Sequence, residues 1–263
     1  MKAVLFDYGG VLTEPMGPMF AAVAADCGAE VADLVALLVG GYGDGDHPWH
    51  RLERGELPFD ALCRWAADEG GRRGWRLDLR RMLDHLHVVG FRPALLERIT
   101  DLRRRGYRTA LVTNNAREFG PYWKDRLPYD DLFDTVVDSC EVGVRKPDPR
   151  IYQLTLERLG GLAPDEAVLL DDFEVNLEAA RAIGMHGVAV GDDTDAALAE
   201  LERLLDDGAQ ADRGRVTSSS PYPGSPSHSR ATIVSRTGHA PAGSFGPSRS
   251  APKANSQGIS ADQ

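Results

Sequence analysis

Cysteine is scarce in this chain, and long apolar runs are missing altogether. Cys27, Cys63 and Cys140 are its only cysteines. They are odd in number and lack metal-type spacing, which argues against a disulfide framework and reads as free thiols in a reducing compartment. No apolar stretch approaches the roughly 20 residues of a membrane span. Nor is there a charged n-region with an apolar core, because Met1-Lys2 leads at once to Asp7 and a glycine pair. The expectation is a cytoplasmic protein. Positive charge is in deficit too: the formal net charge is -10. Arg213, Arg215, Arg230, Arg236, Arg249 and Lys253 face only Asp262 near the end, so the remaining body is more acidic still. An acidic body argues against nucleic acid or an anionic membrane as partner. Nothing in the pattern specifies an oligomeric state.

What is present is an alternation of strand-like and helix-like text. An apolar run reaches from the start of the chain to Phe6, where Asp7, Gly9 and Gly10 turn the backbone. Helical spacing then persists over about residues 15–90. Examples are Phe20, Val23, Ala24 and Cys27, then Val31, Leu34, Leu37 and Leu38, and, after a loop over 40–47, Phe59, Leu62, Trp65 and Ala66. Leu79, Leu83 and Leu86 make a further stripe, and Pro93 opens a helix that Gly106 stops. Strands are expected at 107–115, 135–137, 167–170 and 187–190, with helices over 149–160 and 176–183. This order predicts an α/β protein with a parallel sheet covered by helices on both faces. Its core would be residues 1–14 and 91–206, with an all-helical insertion at 15–90. The pattern dissolves around Asp206, and the Ser/Pro/Gly-rich stretch that ends the chain is too poor in large apolar groups to offset ordering entropy. Residues 207–263 are therefore read as a disordered tail, either an interaction segment or a functionless extension. The second is favoured, because no motif stands out.

Each strand tip carries chemistry. Asp7 ends the first strand, where an open α/β sheet binds its ligands; it is a candidate nucleophile or metal ligand, or else a turn cap. Thr113 and Asn114 end the second strand with a hydroxyl and backbone N–H groups suited to an anionic oxygen, a role compatible with capping a helix. Lys146 precedes Pro147 and Pro149, a cation placed where a helix begins. Asp171 and Asp172 close another strand, and two adjacent carboxylates repel unless a cation lies beside them. A hard cation such as Mg²⁺ suits such ligands.

These residues, taken together and in order, strongly resemble the haloacid dehalogenase-like superfamily. The matches are Phe6-Asp7-Tyr8-Gly9-Gly10-Val11-Leu12, Leu111-Val112-Thr113-Asn114, Lys146-Pro147, and Leu170-Asp171-Asp172 with Asn176. The resemblance covers about residues 1–205. It implies a Rossmann-like core, a mobile helical cap over 15–90, and Mg²⁺-dependent phosphoryl transfer through an aspartyl-phosphate. Asp7 would be the nucleophile. Asp7, the Gly9 carbonyl and Asp172 would hold Mg²⁺, with Asp171 acting through water or as a support for the other ligands. Thr113, the Asn114 backbone N–H and Lys146 would orient and neutralise the phosphoryl group. The implied substrate is a small phosphorylated metabolite, with a sugar phosphate among the candidates.

One position departs from the pattern. Most phosphatases resembling this chain carry a second Asp two residues after the nucleophile, and here Gly9 stands there. A lost general acid costs on the order of 10²- to 10⁴-fold in rate. Turnover should then favour good leaving groups, namely anomeric sugar, acyl or aryl phosphates, or else draw an acid from the cap. His47 and His50, which flank Trp49 in the loop Asp46-His47-Pro48-Trp49-His50, are the candidates for that acid. Trp49 and His50 are also expected to touch substrate, and Met16, Met19 and Phe20 are candidates to line the pocket with them, although helical stripes of Met and aromatics are more often core. Two rivals remain open at this stage: a metal-free 2-haloacid dehalogenase, which does not need the acidic pair, and a non-catalytic binding module, which Gly9 keeps alive.

Overall fold

Alternation along the first strand decides the architecture. Within β1 (Ala3–Phe6) every residue is buried, but Val4 and Phe6 pack on one face and Ala3 and Leu5 on the other. Strands covered on both faces read as unbroken apolar runs. The computed structural model describes residues 1–41, 45–86 and 88–217, with 209–217 as backbone only.

In chain order, β1 is followed by α1 (Gly17–Cys27), α2 (Val31–Val39), α3 (Pro48–Glu53), α4 (Phe59–Arg72) and α5 (Arg81–Leu86). Next come α6 (Pro93–Arg104), β2 (Arg108–Thr113), α7 (Gly120–Trp123), α8 (Tyr129–Leu132), β3 (Thr135–Asp138) and α9 (Ser139–Val142). The chain continues with α10 (Pro149–Arg158), β4 (Ala167–Asp171), α11 (Glu174–Ala182), β5 (His186–Ala189) and α12 (Thr194–Thr217). The strands form one parallel sheet in the order β3-β2-β1-β4-β5. Leu95, Ile99 and Leu102 of α6 and Leu201 and Leu205 of α12 cover one face. Ile151, Tyr152 and Leu156 of α10 and Leu177 and Ala180 of α11 cover the other. The expected α/β fold with a Rossmann-like parallel sheet is thus present.

Helices α1 to α5 lie between β1 and α6, where the sequence placed its helical excursion. The two chain segments that enter and leave it run side by side. Thr13 bridges Phe91 in antiparallel fashion, the Glu14 N–H donates to the Gly90 carbonyl at 2.9 Å, and the Arg92 N–H donates to the Leu12 carbonyl at 2.8 Å. The buried Arg92 guanidinium ties this neck to the far end of β5, donating to the carbonyls of Thr13 and Gly191 and to Thr194 Oγ1.

Several elements differ from the sequence reading, the one-turn helices α7, α8 and α9 among them, and two bear on the site or on the chain's end. Helix α3 was not expected, because it is too short to show periodicity; Pro48 at its first turn and His47 Nδ1, which accepts from the Trp49 N–H at 3.2 Å, start it. Helix α12 continues past residue 206 to Thr217. Ala197, Leu201 and Leu205 hold it on the sheet, and no proline or run of β-branched residues interrupts Asp206-Asp207-Gly208-Ala209-Gln210-Ala211 beyond them. The expected disorder of 218–263 lies outside the described residues.

Candidate active site

The chain order that puts β2 on one side of β1 and β4 on the other opens a crevice at the C-terminal ends of β1 and β4. Such a reversal is where open α/β sheets hold ligands. Asp7 follows β1 there, and Asp171 and Asp172 end β4. Carboxylate oxygens of all three lie within 4.8 Å of one another.

Lys146 stands among them with 1% of its surface exposed. Its Nζ lies 2.7 Å from Asp7 Oδ1 and 2.6 Å from Asp171 Oδ2. Asp171, fully buried, also accepts from Asn176 Nδ2 at 2.8 Å and from the Phe173 N–H at 3.0 Å through its other oxygen. Both of its oxygens are engaged, so Asp171 fixes the lysine. Asn114 fixes the same lysine from the backbone: its Oδ1 accepts from the Lys146 N–H at 2.7 Å and its Nδ2 donates to the Lys146 carbonyl at 2.9 Å. Burial opposes the ammonium charge, yet Asp171 and Asp7 overcome it and hold Lys146 above its ordinary pKa.

One ammonium cannot balance three carboxylates. Fully ionised, Asp7, Asp171, Asp172 and Lys146 sum to a charge of -2, from three negative groups and one positive. Accordingly, burial and then the charges of Asp171 and Asp172 push Asp7 up to about 8 against the pull of Lys146. Burial and Asp171 likewise raise Asp172 to about 6. The Asp172 side chain makes no ion pair among the described residues, and its hydrogen bond is to its own backbone. It fits against Gly10, whose φ is +74° and whose place a Cβ could take only by overlapping the Asp172 carboxylate. Hard oxygen donors with an excess of two negative charges match a divalent cation, and Asp7, Asp172 and the Gly9 carbonyl are the groups that could hold one. Gly10→Ala is expected to cost about 1–2 kcal/mol for the left-handed backbone alone and to displace Asp172. Urea denaturation together with Mg²⁺ titration would read both effects, and an unchanged metal affinity would contradict the packing argument.

Above this floor a cavity of about 430 Å³ opens. Of the residues expected from sequence, Asp7, Gly9, Thr113, Asn114, Lys146, Asp172 and Trp49 line it. His47 and His50 are not among the lining residues. Trp49 and Glu53 sit at i,i+4 on one face of α3, and Trp49 Nε1 donates to Glu53 Oε1 at 2.8 Å. His50 is turned about 100° from Trp49 around the helix and is buried against His47, ring centroids 5.4 Å apart. The acidic group that α3 brings to the cavity is therefore Glu53, which sequence reasoning missed. Its other oxygen accepts from Arg145 Nε at 2.5 Å, and its carbonyl accepts from Ser139 Oγ at 2.6 Å. Arg145, beside Lys146 in sequence, was the one signal that could have suggested a buried acidic partner.

A parallel sheet that gathers a buried carboxylate, a lysine bridging two acids and an acidic pair at its switch point is an α/β architecture whose chemistry lies at the strand tips. The chain belongs to the haloacid dehalogenase-like hydrolase family, whose model matches residues 1–184. It is 35% identical over 212 residues to acyl-CoA dehydrogenase family member 10 of Mus musculus, a match covering 78% of this chain and 19% of that protein. The chain thus spans about a fifth of that relative's length. It is 27% identical to the sesquiterpene phosphatase astK of Aspergillus oryzae, over 78% of this chain and 96% of that one. Among solved structures, a predicted HAD-like family hydrolase of Porphyromonas gingivalis superposes with a TM-score of 0.56 at 25% identity, covering 77% of this chain and 98% of its own. No described helix is long and apolar enough to cross a membrane.

Proposed function

We propose that the chain is a Mg²⁺-dependent phosphomonoester hydrolase that works through an aspartyl-phosphate on Asp7. The observation that carries this reading is the placement of the Asp7 carboxylate on the cavity floor, 2.7 Å from the Lys146 ammonium and within 4.8 Å of an Asp172 oxygen. The name of the sesquiterpene phosphatase, matched over nearly its whole length, supports it.

Asp7 attacks phosphorus in line with the leaving oxygen. Lys146 draws the dianion toward a carboxylate that would otherwise repel it. The Thr113 hydroxyl and the Asn114 backbone N–H take phosphoryl oxygens, while the Asn114 side chain keeps Lys146 in register. Asp7, Asp172 and the Gly9 carbonyl would hold Mg²⁺, which when bound supplies the charge that neutralises nucleophile and phosphate together. Water then attacks the phosphorus of the aspartyl-phosphate and restores the Asp7 carboxylate. Helices α1 to α5 act as a cap, residues 15–90, closing over a core of 1–14 and 91–206. The Glu53–Arg145 ion pair and the Ser139 bond to α3 join the two parts.

Metal dependence tests this reading against a dehalogenase. Chelation with EDTA should remove activity and Mg²⁺ should restore it; activity untouched by chelation would sink the proposal. The sign of the pH dependence is also set. Asp7 and Asp172 release protons only near 8 and 6 without metal, so protons compete with the cation. Mg²⁺ affinity, measured by calorimetry, should rise as pH goes from 6 to 8, and a flat profile would contradict the ligand assignment.

A further inference from the structure

We propose that the substrate is a phosphate carried on an apolar acyl or aryl group, an inference that rests on the phosphatase reading and names the substrate class of that same site. Two observations meet here: the character of the cavity wall, and Gly9 with no side chain beside a Glu53 carboxyl whose two oxygens are both engaged.

The wall is built from Met16, Phe20, Val35, Val39, Met82 and Leu86. Polar side chains on it are already engaged by the protein. Glu53 accepts from Trp49 and Arg145. The Arg126 guanidinium donates to the carbonyls of Leu86 and Val89 and lies over the Phe91 ring at 4.5 Å. Asn115 Oδ1 accepts from the Ala116 N–H. Away from the carboxylate floor, few polar groups remain for a ligand, the Tyr122 hydroxyl and Asn115 Nδ2 among them. A sugar would bury several hydroxyls against hydrocarbon with few partners, at a cost an apolar group does not incur. The phosphate would lie on the polar floor and the apolar chain along α1, α2 and α5.

Among the described residues, the carboxyl group on the wall, Glu53, is already held by the protein. Gly9 has no side chain, and both Glu53 oxygens are occupied, one by Trp49 Nε1 and the other by Arg145 Nε, although burial lifts this carboxyl above its ordinary pKa. An oxygen leaving without a proton must be stable as an anion, as a carboxylate or a phenolate is. The balanced step has an Asp7 oxygen form a bond to phosphorus while the bond from phosphorus to the acyl oxygen breaks. That oxygen departs with the electron pair as a free carboxylate. Water next adds to phosphorus, the bond to Asp7 breaks, and the water's protons leave with inorganic phosphate and bulk solvent. No oxidant or second substrate is required.

Four esters separate the two halves of the inference: octanoyl, acetyl and octyl phosphate, and glucose 6-phosphate, each assayed with the full chain, Mg²⁺ and an Asp7→Asn control. Each buried methylene is worth roughly four-fold, so kcat/KM for octanoyl phosphate should exceed that for acetyl phosphate by about 10²-fold or more. It should exceed that for octyl phosphate by on the order of 10²-fold, the cost of lacking an acid. In Val35→Lys the octanoyl-to-acetyl ratio should fall about tenfold, and in Val39→Ser by less; a ratio taken on one sample is independent of the folded fraction. Acetyl phosphate or glucose 6-phosphate matching octanoyl phosphate would overturn the apolar substrate while leaving the phosphatase standing. Octyl phosphate matching octanoyl phosphate would overturn the missing-acid argument. Silence with all four would sink the phosphatase reading, and this inference with it.

Discussion

Asp7→Asn is expected to abolish turnover, by on the order of 10⁴-fold or more, while making the metal-free protein less sensitive to pH. The amide keeps the shape of the carboxylate but cannot attack phosphorus. Its effect on stability follows from linkage. In the folded chain Asp7 binds its proton up to about 8, whereas an unfolded Asp loses it near 3.9. A carboxyl raised in this way contributes stability that is fully present below the unfolded value and is lost as pH rises through the folded one. Metal-free wild type should therefore lose Tm between about pH 4 and pH 8. The Asn variant, left with the raised carboxyls of Asp172, Glu53 and Asp138, should lose less. Thermal melts in EDTA at pH 5 and pH 8 read the difference, and parallel losses in the two proteins would contradict the picture of a carboxylate held against its charge.

Lys146→Met carries the second large effect. Its ammonium is buried between two carboxylates, and removing one partner of a buried ion pair costs about 3–5 kcal/mol, because the remaining charge has no compensation. Loss of stability on that scale should appear in urea denaturation, with activity lost as well. The double variant Lys146→Met with Asp171→Asn should regain part of the stability and none of the activity, since the two residues couple directly. Additive losses in the double variant would mean that Lys146 does not depend on Asp171. Lys146→Arg should not rescue activity: a planar fork cannot occupy a point 2.6 and 2.7 Å from two separate carboxylates as a single Nζ does.

Much of the core was legible because it is written in periodicity. Ala3 to Phe6, Arg108 to Thr113 and Ala167 to Asp171 are apolar runs of strand length that end in polar residues, and strand tips gather on one edge in a parallel sheet. Asp7, Thr113, Lys146 and Asp172 could thus be brought to one place from sequence order. What was not legible depends on orientation within short helices. The sequence around Trp49 offers two histidines and a glutamate, and only the phase of α3 turns Glu53 toward the cavity and His50 into the packing. That Asn114 serves Lys146 with its side chain is likewise invisible in the text, because the partners lie 32 residues apart. The apolar wall was legible only in part: Met16, Met19 and Phe20 are candidates in the sequence and do line the cavity, but Met and aromatic stripes in a helix are more often core, and only the cavity separates Val35 and Val39 from the fully buried Leu34 and Leu38.

The central claim, a covalent phosphoryl group on Asp7, is tested most directly by mixing the full chain with Mg²⁺ and acetyl phosphate, quenching in acid during turnover and mapping the peptides by mass. The peptide containing Asp7 should carry the mass of one phosphoryl group, and the modification should be lost on brief alkaline treatment and be missing in Asp7→Asn. Steady release of phosphate with that peptide unmodified, or a phosphoryl group at another residue, would contradict it.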